Sequence, residues 1–318
     1  RHGDAIVLTT YGRSSGFVLD PVEKKPLAHV LPGSTVLSFG TAGCNLACRY
    51  CQNWEISTSR DVDTLAASAS PAALARAAGR EGAVGVAFTY NDPVVFAEYA
   101  IDTAAACHEA GLLTVAVSAG WISPEPCDEL FGAVDAANID LKGFTDDFYR
   151  RATGARLADV LDTLVRVRAL GTWLEITTLL IPGRNDSDAE IAAECAWIVS
   201  ELGEEVPVHF SAFHPAHRML DVPRTPASTL ERARAIARDA GIAHVYLGNV
   251  RTSNGSSTCC AGCGALLVDR VGYRVADYRI TPEGACPQCG REVPGIWDPA
   301  GPPPAVGQWW PRRVAVGA

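Results

Sequence analysis

The chain has 318 residues, 48% hydrophobic and 20% charged, with a formal net charge of −9. That length suits one large α/β domain with a small appendage, and the acidic balance without a lysine- or arginine-rich block argues against nucleic acid, because neutralising phosphates takes clustered cations. No apolar run reaches membrane-spanning length and no secretory signal is visible, and 11 cysteines grouped in tight clusters point to metal ligation in a reducing cytoplasm rather than to a disulfide framework.

In chain order, residues 1–34 read as an N-terminal β extension, with D-P-V-E-K-K-P (20–26) as a surface loop. Short apolar, β-branched runs then recur at 36–39, 84–89, 113–117, 137–141, 174–180, 206–213 and 243–247. Between them lie helical stretches. Those at 71–80, 93–110 and 226–240 begin at a Pro or just after one, and those at 93–110, 157–170 and 226–240 stop before a Gly, the usual start and stop signals. Strand-helix alternation of this kind predicts an α/β fold with a parallel sheet, and six or seven units predict a partial or complete barrel over 35–250. The run T-S-N-G-S-S-T (252–258) reads as a linker. A four-Cys module follows over 251–297, and a Pro-rich, irregular tail over 298–318.

The loops after each expected strand are the chemically loaded ones: T-A-G-C-N-L-A-C-R-Y-C (41–51), T-Y-N-D-P (89–93), S-A-G-W (118–121), D-L-K-G-F (140–144), I-P-G-R-N-D (181–186), F-H-P (213–215) and G-N-V (248–250). In α/β barrels the active site gathers at the C-terminal ends of the strands. Singly, such loops are turn residues; together, beside a cysteine cluster, they outline one rim.

Cys44, Cys48 and Cys51 form C-x-x-x-C-x-x-C. A structural zinc site wants four ligands in paired knuckles, and no fourth lies nearby. Thiolates also hold iron–sulfur clusters, and three of them leave one iron of a four-iron cluster uncovered. With an aromatic before the third Cys, this motif resembles the radical S-adenosylmethionine (SAM) enzymes. That resemblance implies a partial (β/α)6 barrel and a [4Fe-4S] cluster whose open iron chelates SAM. It also implies reductive cleavage of SAM to a 5′-deoxyadenosyl radical that abstracts hydrogen from a substrate. Y-G-R (11–13), C-Q-N-W (51–54), F-T-Y-N-D-P (88–93), N-I-D-L-K-G-F (138–144), T-T-L-L-I-P-G-R-N-D (177–186) and Y-L-G-N-V (246–250) are similar to the AmmeMemoRadiSam-system radical SAM proteins, relatives of pyruvate formate-lyase activating enzyme. Two positions depart from that pattern: Asp92 stands where the family usually has Glu, and Ala119 where it usually has Asn.

By this resemblance Tyr50 lies against the adenine, the loop of Asn91 and Asp92 receives the SAM ammonium, and Ser118 sits on the ribose-side loop. Asp140 takes the ribose hydroxyls and Lys142 the SAM carboxylate. The two alternate along a strand end and so share a face. Glu175 and Thr177 have the same spacing and could face the lumen; His214 could contact the adenosyl group or the substrate. Cys107, Cys127 and Cys195 fall in helical stretches and read as buried thiols.

Cys260-x-x-Cys263 and Cys286-x-x-Cys289, each before a Gly, form a zinc-ribbon or rubredoxin-like pattern that binds Zn2+ or Fe. A structural zinc is one reading; an iron centre relaying an electron to the SAM cluster is the other. The substrate stays open between a small molecule or cofactor and a protein receiving a glycyl radical; a scaffold with a degenerate cluster is a third reading, opposed by the intact spacing. The implied partners are a reductant such as flavodoxin or ferredoxin, and Memo-like or AMMECR1-like proteins.

Overall fold

The computed structural model describes residues 7–59, 65, 67–301 and 311–316. Strands β1 (Arg13–Ser14) and β2 (Phe17–Pro21) precede β3 (Thr35–Phe39). Then come α1 (Trp54–Ser57), β4 (Ala67–Ser68), α2 (Pro71–Arg80), β5 (Gly85–Phe88), α3 (Ala97–Glu109), β6 (Leu113–Ser118), α4 (Pro124–Gly132) and β7 (Ala136–Asp140). The short α5 (Asp146–Phe148) leads to α6 (Leu157–Leu170), β8 (Trp173–Leu180), α7 (Asp188–Leu202), β9 (Val208–Ala212), α8 (Ala227–Asp239) and β10 (Val245–Gly248). β11 (Thr258–Cys259), β12 (Leu266–Val271) and β13 (Arg274–Tyr278) make a separate sheet, and β14 (Arg312–Val314) rejoins the main one.

The main sheet runs β10-β9-β8-β7-β6-β5-β3-β2-β14. From β3 to β10 every pairing is parallel; β2 and β14 add antiparallel strands beside β3. All seven runs expected from the sequence are therefore strands of one parallel set. The tail read as irregular carries β14, paired along Phe17–Leu19 of β2; residues 302–310 and 317–318 of that tail lie outside the described residues.

Alternation along the strands sorts the core into two. Leu37, Phe39, Val86, Phe88, Ile139, Ile176 and Phe210 pack with helix residues such as Leu74, Tyr99, Leu130, Leu164 and Ile198. The intervening positions Val36, Ala87, Val115 and Ala136 form a smaller core with Val22, Leu27 and Val30. The segment 22–30 thus fills the other face of the sheet. It bonds across the sheet: Lys25 Nζ to Asp20 of β2 (2.6 Å), Asn138 of β7 to the Pro26 carbonyl (2.8 Å), Glu175 of β8 to the Ala28 and His29 amides, and His29 Nε2 to the Tyr246 hydroxyl of β10 (2.6 Å). A short segment can touch strands from β2 to β10 only if the sheet curls around it, which makes an open barrel with a plugged floor.

That plug overturns the surface-loop reading of 20–26. Lys25 is 2% exposed and Asp20 is fully buried. Asp20 neutralises Lys25, takes Lys24 Nζ (2.9 Å) and accepts the Tyr90 hydroxyl (2.7 Å). A buried charge is tolerated when paired and hydrogen-bonded, and the sequence shows the charges without showing that they meet. Burial lowers the Lys25 pKa to about 8, with Asp20 opposing.

The ribbon seals the same end. Arg270 of β12, 6% exposed, donates to the carbonyls of Ala28 (2.6 Å) and Ser256 and pairs with buried Glu23 (3.5 Å). Ile296 pairs with Val30, and His29 Nδ1 meets the Pro294 carbonyl at 2.6 Å.

Candidate functional site

The loop after β3 is tied from several sides. Gly40 admits no side chain: a Cβ there would lie 2.4 Å from the Thr89 carbonyl. Asn91 staples the loop, accepting the Thr41 amide (2.8 Å) and donating to the Gly43 carbonyl (2.7 Å) and the Thr41 hydroxyl (3.1 Å). Further along, the amides of Ala47 and Arg49 donate to the carbonyls of Thr153 and Ala152 (2.8 and 2.9 Å). Those acceptors belong to a π-helical turn, Tyr149–Thr153, stopped by Gly154 at φ +81°; π turns often mark functional sites. On this loop Cys44, Cys48 and Cys51 are half-buried free thiols, with Ser57 Oγ 3.2 Å from the Cys51 sulfur. Burial pushes the Cys48 thiol up to about 12, against the pull of the Lys142 cation. Burial also raises Cys44, reinforced by the nearby Asp92 carboxylate.

The T-Y-N-D loop stands beside it. Tyr90 adopts φ +74°, a conformation that costs a non-glycine residue roughly 1–3 kcal/mol. Asn53 Nδ2 holds its carbonyl (2.8 Å) and Asp20 its hydroxyl. Asp92, 5% exposed, accepts from the Val94 amide, Ser118 Oγ (2.8 Å) and the Ala119 amide (2.8 Å). Burial raises its pKa while these donors counter it. Ser118 therefore ties the third loop to the second.

At the end of β7, Lys142 Nζ meets Asp140 Oδ2 at 2.8 Å. Burial would lower the lysine pKa, but Asp140 and the neighbouring Cys48 and Tyr50 hold it well above its ordinary value. Lys142 is fixed through its backbone: its amide donates to the Tyr149 hydroxyl (3.0 Å), and its carbonyl accepts from Asn185 Nδ2 (2.9 Å). Tyr149 and Asn185 escaped the sequence reading as site residues; the N-D of I-P-G-R-N-D and the Gly at 154 were their only signals. Two buried hydroxyls here have no hydrogen-bond partner: Tyr50 OH and Thr177 Oγ1. Thr177 pairs in register with Asp140, so the two share a level of the sheet.

Glu175 does not join this group. It lies two residues toward the floor, fully buried, accepting from the Ala28 and His29 amides (2.9 and 2.8 Å), His209 Nε2 (2.6 Å) and Trp173 Nε1 (3.1 Å). Burial opposes its ionisation, but His209, His29 and these donors prevail and hold its pKa near about 2. No oxygen is left for a ligand at the rim, so Glu175 leaves the set of cofactor-binding residues; the sequence spacing does not show the level of the residue along the strand. His214 follows β9 at the rim, half-buried.

The second cysteine set is compact. The ligand atoms of Cys260, Cys263, Cys286 and Cys289 lie within 4.8 Å of one another, with Cys260–Cys289 at 3.5 Å and Cys263–Cys286 at 3.7 Å. Gly264 and Gly290, both at φ +74°, close the two knuckles, and the Gly262 amide donates to the Cys260 sulfur (3.4 Å). This donor set fits one tetrahedral ion. Among the described residues no other His, Cys, Asp or Glu group converges in this way. The three rim thiols are not such a group; three thiolates on one loop suit a cluster held at its corners rather than a single ion.

An open parallel barrel with three thiols on its first rim loop defines a radical enzyme of the SAM-cleaving kind, and the family comparison agrees: residues 39–196 match the model of the radical SAM superfamily. The chain belongs to that superfamily. Within it, the chain is 38% identical over 284 residues to the uncharacterized protein MJ0808 of Methanocaldococcus jannaschii, covering 89% of this chain and 84% of that one. It is 25% identical over 175 residues to the pyruvate formate-lyase-activating enzyme of Clostridium pasteurianum, covering 54% and 72%. A radical SAM methyltransferase from Sphaerobacter thermophilus shares the fold, with a TM-score of 0.53 at 19% identity over 74% of this chain and 71% of that one. The protein is thus an enzyme of radical chemistry, related to the activating enzymes. Among the described residues no helix is long and apolar enough to cross a membrane.

Proposed function

We propose that Cys44, Cys48 and Cys51 hold three irons of a [4Fe-4S] cluster and that SAM occupies the rim beside them. The observation that carries this is the meeting, around one loop, of three free half-buried thiols, the Asp140–Lys142 pair and two sealed, unpartnered hydroxyls. A buried hydroxyl without a partner is costly, and a polar ligand at the rim relieves Tyr50 and Thr177 together. When bound, the cluster supplies the electron that cleaves SAM to the 5′-deoxyadenosyl radical, which takes hydrogen from the substrate.

The chain's own residues bind and orient. Lys142 holds the SAM carboxylate and Asp140, through its second oxygen, the ribose hydroxyls; Tyr50 lies against the adenine. Asn91, Asp92 and Ser118 act by position: their side chains are spent on shaping the loops, so the ammonium is met by backbone carbonyls and by the Asp92 charge. Thr177 and His214 face the adenosyl or substrate side. Glu175 is assigned a structural role. Because the plug and the ribbon close the floor, substrate enters from the rim.

The substrate is unidentified. The second reading, an activase installing a glycyl radical on a partner protein, is favoured by the likeness to the pyruvate formate-lyase-activating enzyme. We place the chain in the AmmeMemoRadiSam group, in the cytoplasm, with flavodoxin or ferredoxin as reductant and Memo-like or AMMECR1-like proteins as partners. For the ribbon we favour a structural zinc. It abuts the floor, with the plug between it and the thiols of the rim. The test is anaerobic reconstitution with iron and sulfide, then dithionite and SAM. 5′-Deoxyadenosine should form in the parent protein and not in Cys48→Ala; its absence from the parent would sink the reading. A glycyl EPR doublet on a co-incubated partner would select the activase.

A further inference from the structure

Between the end of α8, the start of β10 and the first ribbon knuckle lies a cleft of about 710 Å³. It opens at the strand-start end of the barrel, away from the cysteine rim, and nothing described above uses it. Arg234 and Arg238 line it. They stand one turn apart on α8, so both guanidinium groups reach the same face. Arg234 Nε is sealed from solvent with no hydrogen-bond partner. Burial, then the like charge of Arg238, lowers the Arg234 pKa.

The lack of a counter-charge is informative. The chain has 36 Asp and Glu against 27 Lys and Arg, so carboxylates are in excess, yet among the described residues neither Arg234 nor Arg238 has an ion-pair partner. Glu204 and Arg291 also line the cleft, and they face each other at 4.0 Å; Glu205 binds Arg291 (2.7 Å) and faces His244 (3.6 Å). Glu231, one turn earlier on α8, forms no ion pair with Arg234. Two adjacent guanidinium groups that form no ion pair, one of them partly sealed inside a cleft, make a positive wall in an acidic protein. Planar forks of this kind match a tetrahedral oxyanion. The cleft is large enough for a ligand of nucleotide size.

We propose that this cleft binds the phosphate of a small molecule, held between Arg234 and Arg238. The opposite wall carries Cys259, Cys260 and Ala261, so the bound anion bridges α8 to the ribbon and tightens the closed floor. The site is independent of the chemistry at the rim.

The test uses the full chain with its metals in place, by calorimetric titration and thermal unfolding, with inorganic phosphate and ADP as probes. Saturable binding of either, with a raised unfolding temperature, is expected. Arg234→Gln and Arg238→Gln should each weaken it by about tenfold or more, the usual loss for a charged hydrogen bond, while 5′-deoxyadenosine formation stays at the parent rate. Arg234→Lys, which keeps the charge and loses the sealed donor, should weaken it nearly as much. ADP binding well above phosphate assigns a nucleotide; equal binding assigns the free oxyanion. No saturable binding of either probe, or undiminished binding in Arg238→Gln, whose exposed position makes misfolding an unsuitable explanation, overturns the proposal.

Discussion

At the floor of the barrel the Glu175 carboxylate receives the Ala28 and His29 amides, His209 and Trp173, and Arg270 plugs carbonyls left by the segment above it. At the rim, Tyr50 OH and Thr177 Oγ1 are equally buried and receive nothing. Both ends hold polar groups in low dielectric, and both leave some without a partner, Glu23 Oε2 and Asn138 Oδ1 at the floor as well as the two rim hydroxyls. The Glu175 network at the floor, however, is satisfied from within the chain. Native proteins pair nearly all buried polar atoms; the unpaired hydroxyls of the rim stand out because they lie beside three free thiols and the Asp140–Lys142 pair. The same contrast separates the two cysteine sets: the ribbon's four sulfurs close on each other, whereas the rim's three do not.

The sharpest way to break this contrast is at the thiols. Cys44→Ala, Cys48→Ala and Cys51→Ala should each reduce 5′-deoxyadenosine formation to background while the unfolding temperature stays near that of the parent. A large loss of stability would mean these cysteines belong to the packed class, with Cys107, Cys127 and Cys195. Glu175→Gln should have the opposite signature. It removes a paired buried charge, for a loss of about 3 kcal/mol in urea unfolding, with SAM affinity retained in the folded fraction. A selective loss of SAM binding would return Glu175 to the rim.

The floor should also report in pH. Burial, with His244 nearby, lowers the His29 pKa to about 3, against about 6.5 in an unfolded chain. Protonation therefore favours the unfolded state. The stability that neutral His29 contributes is complete above pH 6.5 and is lost as pH falls toward 3. At pH 5 the loss is about 2 kcal/mol. Glu175, depressed to about 2, adds a loss below its unfolded value of about 4.3, in the same direction. Unfolding curves from pH 7.5 to 4.5 should show this slope, and His29→Gln should flatten it; an equal slope in the variant would locate the titration elsewhere. The smallest effect belongs to Tyr50→Phe. Deleting an unpartnered buried hydroxyl should raise stability without SAM by about 1 kcal/mol and weaken SAM binding in direct titration. If stability falls, the hydroxyl has a partner in the protein.

Local signals carried much of this organisation. The seven parallel strands follow from β-branched runs and Pro/Gly punctuation, and α2 forms where Ser70 caps its start, accepting the Ala73 amide, with Pro71 in the first turn. Cysteine spacing announced the convergent four-Cys set of the ribbon and drew attention to the three free thiols of the rim loop. What stayed hidden depends on long-range pairing. D-P-V-E-K-K-P looks like a solvated loop because charge is read along the chain, whereas Lys25 is buried only because Asp20 and Tyr90 meet it. The level of a residue in the barrel was equally hidden: Glu175 and Thr177 share a face, but one is consumed by His209 and the plug and the other is left bare. The π turn at Tyr149–Thr153, which holds both the cysteine loop and Lys142, has no periodicity to find.

The most direct measurement is spectroscopic: iron and sulfide content of anaerobically reconstituted protein, with EPR of the dithionite-reduced form before and after SAM. Three thiolates and one exchangeable iron corner predict four irons and four sulfides beyond any ribbon metal, and a spectrum that changes when SAM binds. Zinc at Cys44, Cys48 and Cys51, or a cluster whose spectrum is indifferent to SAM, would contradict it.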